Sequence, residues 1–222
     1  MARVARRTTM GRPLMMSRRQ HLVKRAFDLA GAGCGLLLFG WAIPALCWVA
    51  RHSTGGPGLF RQQRVGRHGD PFEILKLRTM RANTSGTTVT TAVDPRITRI
   101  GRVMRRTKVD ELPQLINVLR GEMSLVGPRP DVPGGVLVVG PQAEVILSVP
   151  PGITGPASLV FRDEESLLAE QTDPERYNWE VLMPTKARIN EHYVRTWSLK
   201  RDLRYLVMTV CHRRLSEADA LA

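Results

Sequence analysis

Aromatic side chains are scarce, 5% of 222 residues, which leaves little for stacking bases along a single nucleic-acid strand. Cysteine is limited to Cys34, Cys47 and Cys211, none at metal-ligand spacing. That excludes a zinc module and a disulfide scaffold; two of the three sit in an apolar run and read as small hydrophobes in a reducing compartment. No internal repeat is present. Acids are missing from the first 25 residues, which hold Arg3, Arg6, Arg7, Arg12, Arg18, Arg19, Lys24 and Arg25. Across the chain, 33 Lys and Arg face 20 Asp and Glu, a formal charge of +13. Such a balance calls for an anionic partner: nucleic acid, membrane lipid or a phosphorylated substrate.

Residues 26–50 carry one charge, Asp28. As a helix this run is long enough to cross a bilayer, and too long for a signal peptide. Pro44 interrupts it. Basic flanks lie at both ends, Lys24 and Arg25 before, Arg51 and His52 after, and such flanks favour the cytoplasmic side. If both ends stay there, the segment enters and returns with its bend near Pro44. From these residues alone, re-entry and a straight span are equally supported, with a buried core helix behind both.

Two strand-like runs follow, Leu59–Val65 and Phe72–Met80, around a turn at residues 67–70. Alternation puts Lys76 and Arg78 on one strand face, suited to gripping phosphate, to pairing with Glu111, or to plain solvation. Residues 81–93 read as a mobile, Thr-rich loop. Asp94 to Lys108 reads as an amphipathic helix capped by Asp94, with Pro95 in its first turn. Its arginines suit a lipid headgroup layer or, as the rival, DNA. Residues 121–157 are punctuated by Gly and Pro, with a short helix over 141–149 between two loops. An acidic helix over 163–170 and a basic amphipathic region over 186–215 complete the pattern.

The stretch from Thr107 to Pro130, TKVDELPQLINVLRGEMSLVGPRP, organises the rest. Asp110 and Glu111 stand at the mouth of a short apolar helix, with Pro113 in its first turn and Gly121 as its stop. A helix N-terminus can hold phosphate. Acids in a first turn are ordinary, however, and Thr107 with Asp110 resembles a capping box. The flanking sequence tips the balance toward chemistry.

Taken in order, KRAFDLAGAG, PGLFRQQRVGRHGDPFEILKLRTM, DPRITRIGRVMRRTKVDELPQLINVLRGEMSLVGPRP and PGITGPASLVFRDEE resemble the bacterial sugar transferases, the monotopic polyprenyl-phosphate phosphoglycosyl transferases. The resemblance runs from about Lys24 to about Thr209, and the chain looks like the minimal catalytic form. It implies an α+β, helix-dominated, monotopic membrane protein. The parts would be a basic tail (1–23), a re-entrant helix bent at Pro44 (24–52), a cytoplasmic catalytic domain with amphipathic interfacial helices and a small β-hairpin (53–215), and a C-terminal tail (216–222).

The implied reaction moves a phosphosugar from a UDP-sugar to undecaprenyl phosphate and releases UMP, through a covalent aspartyl intermediate. It would begin assembly of a surface glycan at the cytoplasmic face of the bacterial inner membrane, against anionic lipid. The resemblance makes Asp110 the nucleophile and a Mg²⁺ contact, with Glu111 as neighbouring acid/base or anchor. Lys76, Arg78, Arg129 and Arg162 would contact phosphate. Nucleic acid is not expected as a partner, and a homodimer is left open. The weighed alternatives are a membrane-tethered basic nucleic-acid-binding protein and a lipid-binding scaffold without chemistry. Three departures stand out. Ile43 replaces the Ser that often precedes the bend proline, PASLVFRDEE replaces a WQV-x-GR pattern, and Asn190 stands where many members have an acid.

Overall fold

The computed structural model describes residues 16–81, 90–91, 93–133 and 140–222. Most of the expected loop over 81–93, and residues 1–15 of the basic arm, lie outside these. Ser17 opens helix α1 (Arg18–Phe39) with a capping box: its hydroxyl accepts the Gln20 N–H, and the Gln20 side chain accepts from the Ser17 N–H. The helix thus starts ahead of Lys24. Helix α2 (Ala42–Thr54) follows a break at Gly40 and Trp41, and the two arms are bent by 68°. Among the described residues no single helix is long and apolar enough to cross a membrane; this bent pair passes only with its arms taken together.

The bend falls just ahead of Pro44, which sits in the first turn of α2. Its ring nitrogen has no hydrogen for the Gly40 carbonyl. The Ile43 N–H reaches that carbonyl instead, at 3.1 Å. The backbone therefore supplies the cap for which the sequence offered no serine. Around the break, Leu37, Leu38, Phe39, Trp41 and Trp48 are exposed, an apolar patch of the kind that marks an interaction surface.

The polar start of α1 is tied into the body. The Lys24 ammonium is buried and donates to Asp202 at 2.7 Å. Arg25 donates to the Val118 and Leu119 carbonyls, satisfying the end of helix α4 (Gln114–Arg120). Asp28 accepts from the Ser124 hydroxyl and the Leu125 N–H. Lys24 and Arg25 are thus not free members of a basic arm.

Strand β1 (Leu59–Val65) pairs antiparallel with β2 (Pro71–Leu77), from Leu59 opposite Leu77 to Val65 opposite Pro71. Met80 falls outside the hairpin and bridges to Ile97. Both faces of β2 are covered: Phe72 and Ile74 are buried in the main core, and Leu75 and Leu77 are buried on the opposite side, Leu77 against Ala50 and Met104. Helix α3 (Arg99–Thr107) begins later than expected, because Thr98, not Asp94, caps it through the Gly101 N–H. Asp94 instead pairs with Arg96 in the preceding turn.

Strands β3 (Ser124–Val126) and β4 (Gly152–Thr154) form a parallel pair. It explains the glycine punctuation. A Cβ on Gly152 would lie 2.1 Å from the Gly127 nitrogen, so the two Pro/Gly loops meet backbone to backbone. Between these strands, the helix expected over 141–149 is shorter, α5 (Ala143–Ile146) after a turn at 140–142. Helices α6 (Pro156–Val160), α7 (Glu164–Ala169) and α8 (Pro174–Tyr177) lead to α9 (Met183–Arg195) and α10 (Leu199–Val210). Residues of the expected C-terminal tail form α11 (Glu217–Leu221), with Ala220 buried. The main core gathers Val118, Val126, Leu159, Ile189, Tyr193 and Tyr205 with Phe72 and Ile74 of β2. The architecture is helix-dominated with two small sheets.

Candidate active site

Helix α3 ends on Lys108 in the left-handed conformation (φ 62°), whose N–H returns to the Arg105 carbonyl. The chain then makes one tight turn, Val109–Glu111, ahead of α4. This corrects two expectations. Asp110 and Glu111 lie on a turn of their own, not in the first turn of the apolar helix, and that helix has only seven residues. Thr107 closes α3, donating to the Val103 and Met104 carbonyls, and caps nothing downstream. The positive potential at the acids therefore comes from side chains.

Glu111 is the hub. Its Oε1 accepts from Lys76 Nζ at 3.0 Å and from Arg129 Nη2 at 3.2 Å. Burial alone would push its carboxyl up, but the charges of Lys76, Arg129 and Lys108 prevail and hold it well below the usual carboxylate range. Burial also pushes the Lys76 ammonium down, against the pull of Glu111. Arg129 is raised, first by Glu111. Its loop is pinned by the glycine contact between β3 and β4.

Asp110 has the opposite environment. Burial, then the charge of Glu111, raises its carboxyl, with Lys76, Lys108 and Arg105 opposing. It is 7% exposed, and its Oδ1 has no hydrogen-bond partner. A nucleophile must be open to its substrate; this carboxylate is buried. An unpaired carboxylate oxygen is costly in a structural role. It is a buried oxygen with lone pairs free for a metal or a phosphorus. Adjacent acids held in contrasting states fit divided labour.

A cleft of about 630 Å³ opens beside Glu111. Lys108, Arg129 and Arg162 give it cationic corners; Leu112, Leu115 and Ile153 give it an apolar wall. That wall reaches α1, since a Cβ on Gly35 would lie 3.0 Å from Leu115 Cδ1. Of the residues expected at phosphate, Lys76 and Arg129 meet at Glu111 and Arg162 lines the cleft. Arg78 is engaged elsewhere: it donates to the Pro57 carbonyl and lies over the Phe60 ring. Sequence reasoning missed Lys108, whose left-handed backbone turns it into the cleft.

The profile of the bacterial sugar transferases matches residues 19–214. The chain belongs to the bacterial sugar transferase family. It is by that membership an enzyme, a transferase. Family relatives include the UDP-glucose:undecaprenyl-phosphate glucose-1-phosphate transferase of Caulobacter vibrioides, 38% identical over 194 residues, 85% of this chain and 68% of that protein. The protein of the same name from Escherichia coli is 36% identical over 202 residues, 85% of this chain but 39% of its own length. Exopolysaccharide production protein ExoY of Rhizobium meliloti is 32% identical over 206 residues, 85% of this chain and 84% of that protein. In this family member the acidic turn, the Gly-Pro-Arg-Pro loop and the Gly-Ile-Thr-Gly loop all fall inside the matched span.

Proposed function

We propose that the chain moves a phosphosugar from a UDP-sugar to undecaprenyl phosphate, releasing UMP, as the first membrane step of surface glycan assembly. The observation that carries this reading is a cleft that is cationic at its corners, apolar along one wall and lined by Glu111, whose neighbour in the same turn is the unlike carboxylate Asp110. A diphosphate and a polyprenyl phosphate both need that combination. The names of the relatives point the same way.

In this reading Asp110 Oδ1 attacks the β-phosphorus of the donor. The bond from that phosphorus to the bridging oxygen breaks, and UMP departs with the electron pair. A phosphate oxygen of the lipid acceptor then attacks the same phosphorus and frees Asp110. Glu111 stays ionised and holds Lys76 and Arg129 where the phosphoryl oxygens arrive. Because Asp110 is buried, the turn must yield enough for Oδ1 to meet the donor.

Mg²⁺ fits this donor set. Among the described residues no three Asp, Glu, His or Cys converge as a metal cage. Mg²⁺ is commonly held by one or two carboxylates with substrate phosphates completing the shell, and the Asp110 carboxylate, whose Oδ1 is unpaired, would offer one oxygen to the metal and keep the other for the phosphorus. When bound, the ion would neutralise diphosphate charge. The bent α1–α2 pair with its apolar tip would enter the cytoplasmic leaflet of the inner membrane and return, with the exposed arginines of α3 on anionic headgroups.

The test is UMP release from a panel of UDP-sugars with undecaprenyl phosphate and Mg²⁺, alongside trapping of labelled sugar phosphate on the protein. Asp110→Asn is expected to abolish both. Full turnover in that variant would refute the covalent route, and no UMP release from any donor would refute the transfer.

A further inference from the structure

A second cleft, of about 770 Å³, lies on the far side of Arg129. It shares Arg129 and Ser158 with the cleft beside Glu111. Val149, Met183 and Ala187 give it apolar walls; Asp131, Glu164, Lys186 and Asn190 give it polar ones. Lys186 is paired with Glu164 at 2.6 Å, so two acids and two cations, counting Arg129, leave the cleft without a strong charge bias. A neutral, polar ligand suits it better than an anion.

Asn190 is the anomaly. It is 8% exposed, and its Oδ1 has no hydrogen-bond partner. Folded chains rarely leave a buried amide oxygen unmatched, and a bound group is one way of completing it. An amide both donates and accepts, and carboxylates accept, so together they match hydroxyls. The described lining contains no aromatic ring, which leaves a base nothing to stack on.

We propose that this cleft receives the sugar of the nucleotide-sugar donor and that Asn190 reads one of its hydroxyls, setting which hexose is accepted. The inference rests on the transfer reading above. A diphosphate held at Arg129 stands at the junction of the two clefts, so the sugar can enter this one while the phosphorus stays in the cleft lined by Glu111.

The test uses the full chain in lipid nanodiscs. UMP release is measured for UDP-glucose, UDP-galactose and their N-acetylamino counterparts, and UDP, which has no hexose, is titrated as a competitor. Asn190→Ala is expected to cut kcat/KM for the best donor about tenfold, the worth of one hydrogen bond to a buried group. It should change the ratio between that donor and its epimer, while the inhibition constant of UDP stays within about twofold. Asp131→Asn, at a less buried position, should shift the same ratio and guards against misfolding of the first variant. An equal loss for every donor with weaker UDP inhibition would assign the cleft to the nucleoside and overturn the proposal. An unchanged epimer ratio in both folded variants would also overturn it. If the native chain releases no UMP from any donor, the transfer reading itself fails and this inference falls with it.

Discussion

Glu111→Gln and Asp110→Asn, made side by side, are expected to move stability in different directions although the residues are neighbours. Glu111 Oε1 holds both Lys76 and Arg129. Removing one partner of a buried ion pair costs about 3–5 kcal/mol. Lys76 is 19% exposed and Arg129 45%, so water softens the loss, and about 2 kcal/mol is a fair expectation. In a protein of this size that is a fall in Tm of about 4–8 °C. Asp110 carries a charge its surroundings disfavour, and no partner is lost from Oδ1. Its amide should leave stability unchanged or raise it by about 1 kcal/mol.

The sign follows from proton linkage. The folded-state value of Asp110 lies above its unfolded value, so the native state binds more protons across that interval. Stability attributable to Asp110 is therefore complete below the ordinary carboxylate value and is lost as pH rises through the raised one. Denaturant unfolding in detergent at neutral pH measures both variants. Equal destabilisation by the two amides would refute the division of the pair, as would a neutral Glu111→Gln.

Three further outcomes follow from the same geometry. In the metal-free chain the Asp110 carboxyl, followed by its infrared carbonyl band, should titrate above the ordinary carboxylate range; in Glu111→Gln it should move to lower pH, and a value that stays put would contradict the assignment. Lys24→Met leaves Asp202 buried with only the Tyr193 hydroxyl and Trp197 indole donating to it, so unfolding should show a loss of about 3 kcal/mol; a loss under about 0.5 kcal/mol would show that the pair is dispensable. Gly152→Ala drives a methyl into the Gly127 backbone, so it should destabilise by about 2 kcal/mol and cut transfer about a hundredfold through a displaced Arg129; normal UMP release would separate that loop from the chemistry.

Local pattern carried far into the fold and stopped where distant segments meet. The strand β1 was legible residue for residue, because its turn chemistry and alternation are contained within a few positions. The start of α3 differs from the expectation although the cause is local: Asp94 and Thr98 are both good caps, and Asp94 is taken by the N–H and guanidinium of Arg96, two residues on. The pairing of Lys76 with Glu111 was legible as one option among three. The choice depended on residues 35 apart in sequence, and no periodicity reports that distance. The docking of Gly127 on Gly152 was hidden for the same reason: each glycine looked like loop punctuation until the other was beside it. The burial of Asp110 had no sequence signal at all, since an acid beside a tight turn is ordinarily solvated.

Under the proposed membrane placement, these tertiary contacts also change which charges hold the protein to lipid. A basic residue near an anionic surface contributes about 1 kcal/mol, provided its charge faces that surface. Lys24 is buried against Asp202, and Arg25 is engaged with the carbonyls that end α4. Both belong to the body of the enzyme and add little to attachment. On α3 the situation is reversed: Arg99, Arg102 and Arg106 are exposed, and so are Ile100 and Val103 beside them. Ser53 at the end of α2 donates to the Thr98 hydroxyl at the start of α3, so this face is fixed to the arm that carries the apolar tip. The same helix ends at Lys108, one residue before the turn that bears Asp110 and Glu111. Anchoring α3 at the headgroups would therefore fix the height of the acidic turn above the lipid, which is the coordinate a polyprenyl phosphate must match.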